Sequence, residues 1–332
     1  MLVYFIRRLV NVVAMLLVVA AVTFGIFFMV PKLTGTDPAL YYVGKIADKV
    51  AVEGVRHKMG LDKPIIEQFY LFLKGLFVGR DYSTGVDITH CNAPCFGYSF
   101  KTERAVWPLL LDRLGVTASL AAGASVIWLV FGTATGVVSA LKRRTLLDRV
   151  TMITALAGVS LPIYFTGMLA SAIFVYQLGW FPHDYVELGT DPVAWFQNLL
   201  LPWITLAFLY AATYARLTRA TLLDVLGEDY IRTARAKGLS ERTVIGKHAM
   251  RSTLTPILTV FGMDLGGLIG GAVLTESTFN LQGLGREAVA SIASSDLPVI
   301  MGVTLFAGFF IILANLLVDV MYAVVDPRVR LT

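Results

Sequence analysis

The chain has 332 residues, of which 56% are hydrophobic and only 15% are charged. Soluble domains contain about 45–50% apolar and about 25% charged residues, so this composition argues against an ordinary soluble protein and indicates a polytopic membrane protein. The formal net charge of +5 does not indicate nucleic-acid binding, because no basic stripe alternates with aromatic residues on a soluble element.

Six apolar runs reach or approach the roughly 20 residues that a membrane-spanning helix needs. In chain order they are Leu9–Val30, Val116–Leu141, Val150–Leu178, Leu199–Thr218, Leu254–Leu274 and Val299–Val325. The first run is about twice as long as the apolar part of a signal peptide, and no small-residue cleavage site follows it, so we interpret it as a retained helix. The predicted fold is an all-α membrane protein with six transmembrane helices.

The distribution of basic residues predicts the orientation of these helices. With the N-terminus in the cytoplasm, the inner segments contain 16 Lys and Arg residues, whereas the two short outer loops contain only Arg286. Basic residues are enriched in short cytoplasmic loops. We therefore predict that both termini are cytoplasmic and that residues 31–115 form a large extracytoplasmic segment between helices one and two.

Within that outer segment, the sequence predicts two helices, Lys45–His57 and Ile65–Val78, and Pro64 suits the start of the second. Residues 79–97 are rich in turn formers and show no periodicity. They include Cys91 and Cys95, which the predicted topology places in an oxidising compartment where a disulfide forms readily. The alternative is a metal site made by His90 and the two cysteines, which has three ligands and lacks a fourth.

The inner loop between helices four and five has the most informative sequence. Helical spacing continues from Leu222 into the loop, and Gly238 has the position of a glycine that ends a helix. The helix has small residues on one side and basic residues at its edge, which suits docking into a groove of another protein. The alternative is an ordinary basic inner loop. The residues concerned are Arg232, Thr233, Ala234, Arg235, Ala236, Lys237, Gly238 and Leu239.

The predicted fifth helix contains a carboxylate, Asp264, and glycines at small-x-x-x-small spacing that include Gly266 and Gly270. A carboxylate inside a membrane span is costly and indicates a functional role by default. We predict that these three residues line a translocation path. The alternatives are a protonated Asp264 bonded to a helix backbone and glycines that serve helix packing.

Several motifs, in the same order along the chain, resemble one family of transporters. The inner loop resembles the E-A-A-x-x-x-G loop of binding-protein-dependent ABC importer permeases, in the R-T-A-R-A-K-G-L form of the dipeptide/oligopeptide branch. Five further segments resemble the same branch, namely Leu61–Pro64, Phe96–Phe100, Phe279–Gly285, Asn315–Asp319 and Asp326–Arg328. The stretch 83–94 departs from the branch and looks like an insertion.

The resemblance implies a function and a set of partners. It implies that residues 1–332 form a single permease domain, with an N-terminal helix (1–30), the extracytoplasmic segment (31–115) and a five-helix core (116–332) that carries a coupling loop (216–253). The partners would be a second homologous permease, two ATPase subunits, an extracytoplasmic substrate-binding protein and membrane lipid, without nucleic acid. The location would be the bacterial cytoplasmic membrane. The implied cargo is peptides, while relatives in the family also carry nickel chelates or glycosides.

The sequence carries no sign of catalysis. It contains no phosphate-binding G-x-x-x-x-G-K-[ST] motif, no H-E-x-x-H and no G-x-S-x-G, so we expect no cofactor in this chain, with ATP and Mg²⁺ bound by partner ATPases. A self-contained secondary transporter or channel is the rival function. The sequence shows neither the inverted repeat nor the matching broken helices that such transporters often contain.

Overall fold

The computed structural model describes residues 2–33, 35, 37–41, 49–83, 88–182 and 185–325, with side chains described between residues 10 and 316 apart from a few positions. The predicted start of the Lys45–His57 helix, part of the inserted stretch and the Asp326–Arg328 motif lie outside these residues. So does the side chain of Asp319. Within the described part, five helices are long and apolar enough to cross a membrane, or six if one bent pair counts as a single span.

The chain is mostly helical. In chain order the α-helices are α1 (Leu2–Phe24), α2 (Val30–Leu33), α3 (Lys49–Met59), α4 (Ile65–Val78), α5 (Val106–Leu141), α6 (Leu146–Ser160), α7 (Ile163–Ala170), α8 (Pro192–Leu226), α9 (Asp229–Ala236), α10 (Glu241–Thr243), α11 (Met250–Ile269), α12 (Val273–Thr278), α13 (Leu284–Ser294) and α14 (Leu297–Val325). Among the described residues, π-helical turns join α1 to α2 at Gly25–Met29 and α10 to α11 at Val244–Ala249, and a third extends α7 at Ser171–Gln177.

Two small antiparallel hairpins in the outer segment depart from the all-α prediction. Strand β1 (Arg80–Ser83) pairs with β2 (Ile88–Cys91), and β3 (Tyr98–Ser99) pairs with β4 (Arg104–Ala105). These strands are too short to show the alternation of polar and apolar residues from which strands are predicted. The helix predicted immediately before them, Ile65–Val78, is confirmed with the same bounds.

The third predicted span is not straight. Helices α6 and α7 meet at an angle of 100°, and the break falls at Leu161 and Pro162. Proline has no backbone N–H and disfavours helical geometry at the residue before it. A continuous apolar run therefore hides a break in the helix.

The chain forms two compact units. The first contains Met1–Val116 and Gln282–Phe310, and the second contains Thr117–Leu281 and Ile311–Thr332. In the first unit, Phe24 of α1 and Phe72 of α4 pack with Met301 of α14. Ser99 donates a hydrogen bond to Asp296, directly before α14, and fixes the second hairpin there.

In the second unit, α5 and α8 approach closely because small residues face each other. A Cβ atom added at Gly132 would lie 2.9 Å from the carbonyl oxygen of Ala211. A Cβ atom at Gly136, one turn further along, would lie 2.6 Å from the carbonyl oxygen of Ala215. These contacts leave no room for larger side chains, which is the packing mode of small-x-x-x-small helix pairs in membranes.

Candidate functional site: the inner loop and the second unit

The candidate coupling loop forms helix α9, which follows the long helix α8 after two residues. Its C-terminal end is a complete Schellman motif. Gly238 has φ +77° and donates its N–H to the carbonyl of Arg235 at 2.9 Å, while the N–H of Leu239 reaches the carbonyl of Ala234 at 3.4 Å. These two bonds satisfy carbonyls that would otherwise lack partners at a helix end. The predicted helix stop at Gly238 is present in the structure.

Only one side of helix α9 packs against the rest of the chain. Ile231 and Ala234 are buried in a cluster with Ala140 of α5, Leu222 of α8 and Val244 of the following π-helical turn. The rest of the candidate loop is exposed, and it consists of Arg232, Thr233, Arg235, Ala236, Lys237, Gly238 and Leu239. Of the small residues expected on the docking side, Ala234 therefore packs inward, whereas Ala236 and Gly238 face outward.

Two ion pairs order the exposed side of this loop. Arg235 bonds Glu241 through Nε at 2.7 Å, and Arg232 bonds Asp229 at 3.3 Å. Exposed pairs of this kind contribute little to stability, on the order of 0–1 kcal/mol. They hold the guanidinium of Arg232 beside the first residue of α9 and that of Arg235 beside the first residue of α10.

A buried ion pair lies in the same unit. Asp148, at the start of α6, accepts hydrogen bonds from Nε and Nη2 of Arg219 at 2.7 and 2.9 Å. It also accepts bonds from the hydroxyl of Ser139 and from the backbone N–H of Arg144 at 2.9 Å. The pair ties α6 and the end of α5 to α8.

The candidate path residues lie on α11, which ends earlier than predicted. The helix stops at Ile269, and the chain turns at Gly271, whose φ is +129°. Asp264 therefore lies within one and a half turns of the helix end rather than halfway along a straight span. It is half-buried and accepts a hydrogen bond from the hydroxyl of Tyr214 at 2.9 Å.

The two candidate glycines occupy different positions. Gly266 is buried, and a Cβ atom there would lie 2.9 Å from Cβ of Ala314 and 3.2 Å from Cα of Ile311. Its role in this conformation is close packing of α11 on α14. Gly270 is the last residue of the α11 turn, where its N–H bonds the carbonyl of Gly266. Gly267, by contrast, is exposed and has open space around its Cα.

The outer cysteines are joined in the structure. The Sγ atoms of Cys91 and Cys95 form a disulfide, and both residues are buried. His90, the third residue of the alternative metal site, bonds Asp81 instead. Among the residues that the structure describes, no group of three His, Cys, Asp or Glu side chains could hold a metal ion.

Comparison with known proteins identifies the family. Residues 132–331 match the family described as binding-protein-dependent transport system inner membrane component, and residues 1–121 match the N-terminal family of the same components. The chain is 39% identical to a protein of Brucella abortus (strain 2308) that is named as a peptide transport system permease. The match covers 325 residues, 98% of both chains. The chain belongs to the binding-protein-dependent transport permeases.

Further relatives agree with this assignment. The glutathione transport system permease protein GsiC of Escherichia coli (strain K12) is 37% identical to this permease over 330 residues, 99% of both chains. A structure of the MetNI methionine ABC transporter, described as inward facing, aligns with a TM-score of 0.50 at 15% identity. It covers 66% of this permease and 97% of that chain, and this likeness shows the fold. The protein is thus a multi-pass bacterial inner-membrane permease subunit of an ABC importer.

Sequence reasoning missed three features of this permease. The pairing of Asp148 with Arg219 was not predicted, because the two residues are 71 positions apart in the sequence. The close packing at the glycines of α5 was not predicted, whereas the glycines of α11 were identified from their spacing. Glu276 in α12 is fully buried and accepts a hydrogen bond from Thr117 at 2.8 Å, yet its span looked like an outer loop. A lone acid among basic residues, such as Asp148 beside Arg143, Arg144 and Arg149, was the available signal.

Proposed function

We propose that this permease forms half of a translocation path for peptides and works with a second homologous permease, two ATPase subunits and an extracytoplasmic binding protein. Similarity over almost the whole length to relatives named for peptide and glutathione transport supports the cargo. Glutathione is itself a tripeptide. Nickel chelates and glycosides remain the alternative cargoes of this assignment.

The observation that carries the coupling role is the geometry of α9. The helix is anchored by Ile231 and Ala234 while its opposite side and its capped end stay exposed. The Schellman motif gives that end a fixed shape, and Lys237 and Leu239 project a cation and an apolar side chain from it. A rigid, partly apolar end of this kind suits insertion into a groove on an ATPase. ATP and Mg²⁺ would be bound by that partner and not by this chain.

The binding protein would meet the predicted outer side. Val289 and Ile292 of α13 are 47% and 60% exposed, and Gln282 directly before this helix is exposed. In the predicted outer segment, a crosslinker needs an exposed position. Tyr82 in β1 is buried, whereas Ile88 in β2 is 76% exposed, so Ile88 is the better choice. Crosslinkers at Gln282 and Ile88 should capture the binding protein in the presence of peptide.

The proposal is tested by reconstitution. The permease is purified with its co-purifying subunits, placed in proteoliposomes containing ATP, and supplied with the binding protein and a radiolabelled tripeptide. We expect uptake that depends on both ATP and the binding protein. Uptake without ATPase subunits would support a secondary transporter, and uptake of a nickel chelate or glycoside alone would change the cargo.

A pair of matched variants tests the coupling role. Ala236→Trp adds bulk on the exposed side of α9 and leaves the Schellman motif intact, so it should reduce ATP-driven uptake at least about tenfold while the protein still inserts. Gly189→Trp makes a change of similar size in an exposed loop with open space around the Cα and should leave uptake unchanged. Equal uptake by the two variants would contradict docking through α9.

A further inference from the structure

Four aromatic side chains surround the region next to Asp264. Trp128 of α5 is fully buried and stacks on Tyr210 of α8 with ring centroids 4.6 Å apart. The same indole lies 6.2 Å from the rings of Tyr214 and Phe261. Tyr210 and Tyr214 are one turn apart on α8, and Phe261 is three residues before Asp264 on α11, so each pair shares a helix face. Helices α8 and α11 thus place aromatic rings around Trp128 of α5, and one of these residues, Tyr214, bonds Asp264.

The four rings have different accessibility. Trp128 and Tyr214 are fully buried and serve as the back wall, whereas Tyr210 and Phe261 are half-buried. Because Trp128 covers one face of Tyr210, only the remaining face and edge of that ring can meet a ligand. Asp264 is also half-buried. Tyr214 bonds Asp264, and Tyr210 lies one turn before Tyr214 on the same face of α8, which places Tyr210 and Asp264 on the same side of the cluster, where a single small group could contact both.

Among the described residues, no positively charged side chain pairs with the carboxylate of Asp264. Within the described residues, Oδ2 of Asp264 accepts a hydrogen bond from the neutral hydroxyl of Tyr214, and no salt bridge includes Asp264. The other carboxylate oxygen of Asp264, Oδ1, is not one of the fully buried polar atoms that have no hydrogen-bond partner. Asp264 also lies near the C-terminal end of α11, where the helix dipole contributes a partial negative charge. The local potential therefore favours a cation.

A small cation that carries hydrogen-bond donors fits these features. An ammonium group can donate to Oδ1 of Asp264 and lie against the electron-rich face or edge of Tyr210, as in other cation–aromatic contacts. Carboxylates are repelled, and a neutral amide cannot supply the charge. We infer that Asp264 and Tyr210 form a transient binding site for the α-ammonium group of a peptide in transit, an inference that rests on the proposed import of peptides. Tyr214 holds the carboxylate of Asp264 in place, and Trp128 holds the ring of Tyr210.

A purely structural account makes the opposite prediction for two variants. Asp264→Asn removes the charge and keeps an oxygen that accepts the Tyr214 hydroxyl. Tyr214→Phe keeps the charge and removes that hydrogen bond. If Asp264 serves only as a hydrogen-bond partner, Tyr214→Phe is the damaging change. If Asp264 attracts an ammonium group, Asp264→Asn is the damaging change for cationic cargo.

The test uses the intact importer in proteoliposomes and two tripeptides of the same sequence, one with a free N-terminus and one N-acetylated, chosen because both bind the purified binding protein. Uptake by each variant is divided by wild-type uptake of the same peptide, so that the preference of the binding protein cancels. We expect Asp264→Asn to reduce uptake of the free-amine peptide about tenfold more than uptake of the acetylated peptide, equivalent to about 1.4 kcal/mol. Tyr214→Phe should alter both peptides by the same factor.

The control variant is Asp112→Asn, which makes the same chemical change at an exposed position of α5 and should leave both uptakes unchanged. If Asp264→Asn reduces the uptake of both peptides by the same factor, the proposed ammonium-binding site is wrong, while the proposed import of peptides is unaffected. Loss of the second permease from purified Asp264→Asn importer, with equal losses of both peptides, would assign the carboxylate to the subunit interface instead. If the wild-type importer takes up neither peptide, the peptide function itself falls, and this inference falls with it.

Discussion

Asp148 and Asp264 are two carboxylates of the same unit with opposite surroundings. Asp148 receives two hydrogen bonds from the guanidinium of Arg219, one from Ser139 and one from a backbone N–H. Asp264 receives one bond, from a neutral hydroxyl. The negative charge of Asp148 is balanced by a fixed partner, whereas no charged partner of Asp264 lies among the described residues.

The difference separates a carboxylate that links helices from one that is a candidate for contact with a ligand. A carboxylate removed from water is costly unless it is paired and hydrogen-bonded. Full pairing makes Asp148 a rigid link between α6 and α8, and α8 leads after two residues into the candidate coupling helix α9. Asp264 has no such pairing among the described residues, and in the proposal above its counter-charge is the ammonium group of a peptide in transit.

The largest expected effect is on stability, from Asp148→Ala. This change leaves the guanidinium of Arg219 without its partner in a site where Arg219 is only 26% exposed. We expect a loss of about 3 kcal/mol, at the lower end of the range for breaking a buried pair, measured as a lower thermal unfolding midpoint of the purified permease. Asp224→Ala, at an exposed position of α8, should change the midpoint little. Similar midpoints for the two variants would contradict the structural role.

A smaller effect is expected from Ser139→Ala. Ser139 is fully buried, and its hydroxyl donates to Oδ1 of Asp148. Hydrogen bonds to charged groups contribute about 1.5–3 kcal/mol, and the remaining three bonds should keep Asp148 in place, so we expect the lower end of that range. Thermal unfolding of Ser139→Ala combined with Asp148→Ala provides the check. If the losses of the two single variants simply add, the hydroxyl does not act through Asp148.

Next in size is Gly266→Ala, which tests whether α11 beside Asp264 is packed on one side and open on the other. The added methyl group would meet Ala314 at 2.9 Å, and overpacking of this kind costs about 1–3 kcal/mol. Gly267→Ala places the same methyl group in open space and should not destabilise the helix. A destabilised Gly267 variant beside an unchanged Gly266 variant would place the tight packing on the other side of α11.

The smallest effect on stability is expected from Asp264→Asn. Because the carboxylate has no fixed counter-charge among the described residues and the amide can still accept the Tyr214 hydroxyl, the unfolding free energy should change by less than about 1 kcal/mol, with any change stabilising. The same thermal unfolding assay measures it. A loss as large as that of Asp148→Ala would show that Asp264 has a fixed structural partner, and the contrast between the two carboxylates would disappear.

Much of the architecture could be predicted from local patterns. The bounds of α4 and the helix stop at Gly238 follow from Pro64, from apolar periodicity and from the need of a helix end for a residue with positive φ. The break at Leu161 and Pro162 was missed because the length of an apolar run does not show whether one helix occupies it, although Pro162 was visible. The early end of α11 was missed for the same reason, at Gly270 and Gly271.

The sequence by itself determined a membrane protein with apolar spans, basic flanks and a glycine-capped helix, because composition, periodicity and caps act over a few neighbouring residues. Its permease function was implied only by the resemblance of its motifs to a family. Only the tertiary structure decided which charges are balanced. Asp148 and Arg219 are 71 residues apart, and Tyr214 and Asp264 are 50 residues apart. The distance between such side chains is set by how α5, α6, α8 and α11 pack, and close packing depends on the small residues of all four helices together.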